Sequence, residues 1–227
     1  MERCYGIRTY GIGREMLDKN GKREIGIVEC GTGNIGSVCN AFRFYGYRVN
    51  ICNTKTDIRN VDIIVMAGVG SFKNAVRRLK KRELWDQLKT DIMIKKKPAL
   101  GICLGMQLFS SFGHEDGREE GLNFIKGATV KMEWAKTLPH IGWNRISGKD
   151  KRLFRKIRYP YFYFMHSYHF LPEDSGCVIA HAEYEGGKII SVIRKDNIVG
   201  VQFHPEKSQG DGLRFIRNFV ESSERPE

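Results

Sequence analysis

No stretch of this 227-residue sequence approaches the roughly 18–20 consecutive apolar residues that a helix needs to cross a bilayer. The opening residues, Met1-Glu2-Arg3-Cys4-Tyr5-Gly6, carry no apolar core of the secretory type. Both absences point to a cytosolic protein. The six cysteines include no C-x-x-C pair. That argues against a structural zinc site and leaves buried thiols as the default in a reducing compartment. Internal repeats and low-complexity linkers are missing, and the length suits one domain. Acidic residues are also in short supply, 26 against 38 Lys and Arg, for a formal net charge of +12. The basic runs (Arg77-Arg78-Leu79-Lys80-Lys81-Arg82, Lys95-Lys96-Lys97 and Lys149-Asp150-Lys151-Arg152) are scattered and lack interleaved aromatics. They read as solvated faces rather than a nucleic-acid site. Docking on an acidic partner is their other use, because complementary charge speeds encounter.

What is present is an alternation of strand and helix signals. Residues 1–24 hold four glycines and no sustained periodicity, and read as a flexible leader, a short hairpin or the product of a misplaced start. From Ile25 the pattern sharpens into a domain spanning 25–222, followed by a polar tail at 223–227. Ile25–Val28 reads as a buried strand, and Tyr47–Cys52, Val61–Met66 and Pro98–Cys103 read as a second, third and fourth strand. Helices are expected at Ile35–Tyr45, along one amphipathic stretch from Phe72 to Lys96, and directly after Cys103. This order predicts an α/β fold with a mostly parallel central sheet flanked by helices. Shorter strand signals at Thr129–Met132, Tyr161–Met165, Val178–His181, Ile189–Ile193 and Ile198–Phe203 add an antiparallel portion. A last helix covers Gly212–Val220.

Gly101-Ile102-Cys103-Leu104-Gly105 has the form G-x-C-x-G at a strand-to-helix junction, the cysteine version of a nucleophile elbow. The chain must turn sharply there, and the two glycines remove Cβ atoms that would clash. The sulfur then sits at a helix N-terminus that favours thiolate, and the Leu104 N–H points at a developing oxyanion. A thiol nucleophile needs a base and the base an orienter. His204, followed by Pro205 and Glu206, offers both. In extended chain, residues 204 and 206 project to the same side, with Pro205 fixing the dihedral between them. His114, in a turn-like Gly-His-Glu-Asp-Gly stretch, is an alternative base. His166 reads as a residue lining the site.

These segments together resemble the class I, triad-type glutamine amidotransferases, and within them the glutaminase subunits of imidazole glycerol phosphate synthase. The resemblance covers Ile25 to Val220. It is carried by Gly31-Thr32-Gly33-Asn34-Ile35, Gly68-Val69-Gly70, Leu100–Leu108, Pro139-His140-Ile141-Gly142-Trp143-Asn144, Tyr163–Tyr168 and Gly200–Ser208. It implies a flavodoxin-like fold of this class and a triad of Cys103, His204 and Glu206. It also implies an oxyanion loop, Gly68-Val69-Gly70, that rearranges to present the Val69 N–H. Around the glutamine it places Gly68, Gly70, Gln107, Glu115, Ser167 and Tyr168. Families of this kind usually have proline where this chain has Ala67, a change expected to free the loop's dihedrals.

The resemblance implies L-glutamine as substrate, no metal and no organic cofactor. Ammonia would pass to a separate cyclase or synthase subunit of (β/α)-barrel type in histidine biosynthesis, since 227 residues leave no room for a second catalytic domain. Ser37, which follows Gly33-Asn34-Ile35-Gly36, and His169 are similar to paralogous subunits that feed sugar amidotransferases in surface-polysaccharide pathways, which keeps that partner open. A stand-alone thiol hydrolase is a further alternative. No nucleic acid or membrane partner is expected.

Overall fold

The computed structural model describes residues 23–33, 35–148 and 150–223. Nearly all of the stretch read as a leader, and the tail beyond Ser223, lie outside them. The first half alternates: β1 (Glu24–Glu29), α1 (Ile35–Arg43), β2 (Arg48–Ile51), α2 (Lys55–Arg59), β3 (Ile63–Gly68), α3 (Phe72–Lys81), α4 (Trp85–Lys89), β4 (Ala99–Cys103) and α5 (Leu104–Gln107). The second half is strand-rich: β5 (Phe112–Gly113), β6 (Glu119–Glu120), β7 (Gly127–Lys131), β8 (His140–Gly148), β9 (Tyr161–His166), β10 (Tyr168–Pro172), β11 (Val178–Tyr184), β12 (Gly187–Lys195) and β13 (Ile198–Val201), closed by α6 (Gln209–Ser222).

One nine-stranded sheet runs β2-β1-β3-β4-β13-β12-β11-β8-β9. Its first five strands are parallel and the remaining four continue it antiparallel. The antiparallel portion expected from the second half is thus mainly an extension of the central sheet. A separate small sheet, β10-β7-β5-β6, lies apart from it. In β3, Ile63 to Ala67 are all buried. Such an unbroken apolar run is what a parallel strand covered on both faces requires. Alternate residues serve opposite faces. Ile25, Ile27, Ile63 and Val65 pack with α1 and α6, whereas Val28, Ile64 and Met66 pack with α2, α3 and α4. Ala67 is held inside β3, paired with Glu29 and Ile102. Any freedom gained from the missing proline therefore begins only beyond it.

Two helices end earlier than the apolar pattern suggests. The amphipathic stretch 72–96 breaks after Lys81, where Glu83 takes φ 55° and Leu84 folds back into the core, its N–H on the Leu79 carbonyl. The chain then resumes as α4 and a π-helical turn at Thr90–Ile94, held by fully buried Asp91 and its partners Gln87, Lys95 and Lys97. The helix after Cys103 is four residues long. Ser110 and Thr129 hydroxyls capture the Gln107 carbonyl at 2.7 and 3.1 Å, while the Ser111 N–H goes to Gly127 O. The acceptor that would propagate the helix is occupied.

Close approach around this junction needs glycine. A Cβ on Gly105 would lie 2.0 Å from the Met66 carbonyl oxygen, and one on Gly101 2.7 Å from the Met106 nitrogen. Backbone atoms cannot swing aside as side chains do. Gly105→Ala is expected to cost about 2 kcal/mol or more and lower Tm by several degrees. Thermal unfolding followed by circular dichroism checks this, and an unchanged Tm contradicts the close packing of β3 on α5.

Candidate active site

β4 brings Cys103 to the end of the parallel strands, between β3 and β13. Its backbone takes φ 53° and ψ −107°. A non-glycine residue held on the left-handed side costs on the order of 1–3 kcal/mol and persists only where its surroundings impose it. The sharp turn expected from the sequence is therefore present and strained, with Cys103 immediately preceding the first helical residue, Leu104. The sulfur is buried. Gln202 Nε2 donates to it at 3.6 Å, and as a thiol it faces the Met165 carbonyl at 3.9 Å.

His204 arrives from β13, its N–H fixed on Tyr163 O at 2.8 Å. Its Nδ1 lies 2.9 Å from Glu206 Oε1, and both side chains are buried. The extended His-Pro-Glu segment expected from the spacing is not what joins them. The chain enters a 3-10 turn at Pro205–Lys207, tightened by the Ser208 hydroxyl on His204 O at 2.6 Å, and that turn carries Glu206 to the imidazole. Nδ1 donates to the carboxylate, so Nε2, also buried, is the nitrogen left to face the Cys103 sulfur. Burial disfavours the charged ring, yet the charge and hydrogen bond of Cys103, then those of Glu206, outweigh it and raise the pKa to about 10. His114, by contrast, is exposed near the tip of the β5–β6 hairpin. His166 is buried and bonded through both ring nitrogens, to His140 Nδ1 at 3.3 Å and to Tyr168 O at 2.9 Å.

Gly68 pairs directly with Cys103, which places the Gly68–Gly70 loop beside the sulfur. The Val69 N–H expected to face an oxyanion does not do so in this conformation. It donates to Thr32 O at 2.8 Å, and the Thr32 N–H returns to Val69 O at 2.9 Å. Arg78 braces the holding segment from behind, donating to Gly31 O at 2.8 Å and pairing with the Glu29 carboxylate. Arg82 likewise donates to Cys52 O and Asn53. Part of the basic run read as a solvated face is therefore used inside the fold.

Of the residues expected around glutamine, Glu115 accepts the Phe72 N–H at 2.7 Å, just past the loop. Tyr168 stands near Glu115: burial, then the charges of Glu115, Asp116 and Glu133, push its hydroxyl pKa up. Ser167 joins β9 to β10 and its carbonyl takes the Met132 N–H. Gln107 departs from expectation. It is buried, and its amide nitrogen is committed to Tyr168 O at 2.8 Å and Gln202 Oε1 at 3.2 Å rather than open to a ligand. Gln202 and Thr32 were not singled out from the sequence. A polar Gln202 between buried Val201 and Phe203 was the available signal for the first; for Thr32 there was none.

The histidine shift has a checkable consequence. Because the folded pKa of about 10 exceeds the ordinary 6.5, protonation of His204 contributes stability that is full below pH 6.5 and lost as pH rises through about 10. Removing the sulfur charge leaves burial dominant. In Cys103→Ala the His204 imidazole, followed by NMR titration, is expected to fall well below its wild-type value. A pKa that stays near its wild-type position contradicts the coupling.

Comparison with known proteins agrees with this geometry. Residues 26–222 match the family model for class-I glutamine amidotransferases. An imidazole glycerol phosphate synthase subunit HisH from Leptospira interrogans is 38% identical over 203 residues, covering 86% of this chain and 98% of its own. The subunit HisH 1 from Campylobacter jejuni strain RM1221 is 42% identical over 200 residues, with the same coverage. Among solved structures, PurLQS from Thermotoga maritima superposes with a TM-score of 0.69 at 14% identity, over 88% of this chain and 99% of that one, a likeness of fold. The chain belongs to the class-I glutamine amidotransferase family.

Proposed function

We propose that this chain is the glutaminase subunit of an imidazole glycerol phosphate synthase. The carrying observation is the buried set Cys103, His204 and Glu206, with a strained cysteine backbone and a histidine held by a carboxylate at 2.9 Å. Relatives at about 40% identity that bear that enzyme's name supply the pathway. Cys103 attacks the side-chain amide carbon of L-glutamine. Protonated His204 gives its Nε2 proton to the departing ammonia while Glu206 keeps the ring in place, and a γ-glutamyl thioester remains. Neutral His204 then takes a proton from water as it attacks the thioester, releasing glutamate and restoring the thiolate. The Leu104 N–H is one oxyanion donor; Val69 becomes the second once its peptide turns from Thr32. Gly68, Gly70, Glu115, Ser167 and Tyr168 surround the substrate, with Glu115 taking its ammonium.

A partner surface adjoins this site. β9 is the edge of the large sheet and pairs with β8, and the outer face of the pair carries Ile141 with Met165, Trp143 with Tyr163, and Arg145 with Tyr161. Ile141, Trp143 and Tyr161 are 58%, 47% and 47% exposed. Large aromatics left in solvent on one face mark an interaction site. Tyr163 and Met165 contact the His204 backbone and the Cys103 sulfur from the same strand. A cyclase subunit of (β/α)-barrel type seated here would receive ammonia close to where it forms. No described helix is long and apolar enough to cross a membrane.

Glutamate release with and without a partner tests the reading. Alone, the chain is expected to turn over slowly, because a missing oxyanion donor costs on the order of 100-fold or more. Adding a cyclase subunit with its ligand should restore that factor, and Cys103→Ala should abolish release in both conditions. Stimulation by a sugar amidotransferase but not by the cyclase would reassign the pathway. Full activity alone, or release from peptides and not from glutamine, would overturn the amidotransferase subunit itself.

A further inference from the structure

Two buried glutamine side chains stand in series behind the Cys103 sulfur. Gln202 is fully buried and Gln107 nearly so. In a side-chain amide the oxygen only accepts and the nitrogen only donates, so the partners decide which way each one faces. The unambiguous partner is the Tyr168 carbonyl, which can only accept. It lies in β10, paired to Lys131 of β7, and also receives His166 Nδ1 at 2.9 Å. Gln107 must therefore turn its nitrogen toward Tyr168 O, 2.8 Å away. The second hydrogen of that nitrogen goes to Gln202 Oε1 at 3.2 Å. With its oxygen taken, Gln202 is obliged to present Nε2 to Cys103 Sγ at 3.6 Å.

We propose that this amide relay, from the Tyr168 carbonyl through Gln107 to Gln202, holds an N–H donor on the Cys103 sulfur and favours its thiolate before glutamine binds. The proposal rests on Cys103 being the nucleophile. Gln202 acts on the reacting atom directly; Gln107 is a positioning residue that acts through it. Beside the His204 imidazole, whose charge and hydrogen bond it shares in wild type and variants alike, the sulfur stands between two opposed influences. The Met165 carbonyl at 3.9 Å accepts from a thiol and repels a thiolate, whereas the Gln202 N–H stabilises the charge. On this side of the sulfur the surroundings are buried, so no solvent molecule takes the place of a lost donor. Replacing Gln202 by a residue of similar length without an N–H shifts the balance to the thiol, and releasing Gln107 lets the Gln202 amide rotate and weakens the same donor.

The relay is tested on the full chain without partner or glutamine, by following alkylation of Cys103 with iodoacetamide across pH, with Cys103→Ala as background. In Gln202→Met the pH midpoint of alkylation is expected to rise by about one unit, so that the rate below that midpoint falls about tenfold. In Gln107→Met the shift is smaller and in the same direction. Circular dichroism establishes that each variant is folded. A folded Gln202→Met protein with an unmoved midpoint overturns the relay; should that variant not fold, an unmoved midpoint in Gln107→Met does so. Glutamate release by the wild-type chain with its partner is measured separately. Failure there removes the glutaminase reading, whereas an unmoved midpoint with normal wild-type turnover removes the relay alone.

Discussion

Cys103 occupies a backbone conformation that a side-chain-bearing residue adopts only under compulsion, and much of the site follows from what compels it. β4 is locked in register between β3 and β13, so the chain reaches Cys103 with no freedom to drift. α5 must begin at the next residue, and it packs so closely on β3 that Gly105 faces the Met66 carbonyl without room for a Cβ. A left-handed φ at Cys103 satisfies both demands. The neighbouring strand β13 delivers His204, and the turn after Pro205 delivers Glu206. Strain at one residue is thus maintained by a sheet that also aligns its partners.

The same sheet holds the Val69 N–H, the second oxyanion donor of the proposed mechanism, away from the sulfur. The Val69 peptide is bonded in both directions to Thr32, and Arg78 ties the segment carrying Thr32 to the loop's own helix, α3. On the proposed mechanism, a chain assembled this way has its nucleophile and base ready but withholds a donor. Control then comes down to one peptide's orientation, and a subunit built to make ammonia for another active site benefits from such restraint. The exposed aromatic face of β8 and β9, joined to the His204 backbone through Tyr163, lies where a partner could influence it.

Much of this was legible in the sequence because it depends on local pattern. The apolar runs at Ile25–Val28 and Val61–Met66 marked central strands, and G-x-C-x-G marked the elbow, because sterics at a strand-to-helix turn tolerate few residues. His204 and Glu206 were found by adjacency, although the turn that joins them was read as extended chain; a 3-10 turn at Pro205 leaves the same spacing in sequence. What could not be read were contacts set by tertiary packing. The Gln107 carbonyl stops α5 through Ser110 and Thr129, one of them 22 residues distant. The Val69 bridge to Thr32 spans 37 positions, and Gln202 reaches Cys103 across 99. No periodicity encodes such pairings.

The central claim is that Cys103 carries the γ-glutamyl group during turnover. Acid quenching of the enzyme while it consumes glutamine beside its partner subunit, followed by peptide mass spectrometry, tests it most directly. The account predicts a glutamyl adduct on the peptide containing Cys103, labile to base and absent when glutamate replaces glutamine. Sustained ammonia release with that peptide unmodified, or an adduct on one of the other cysteines, would contradict it.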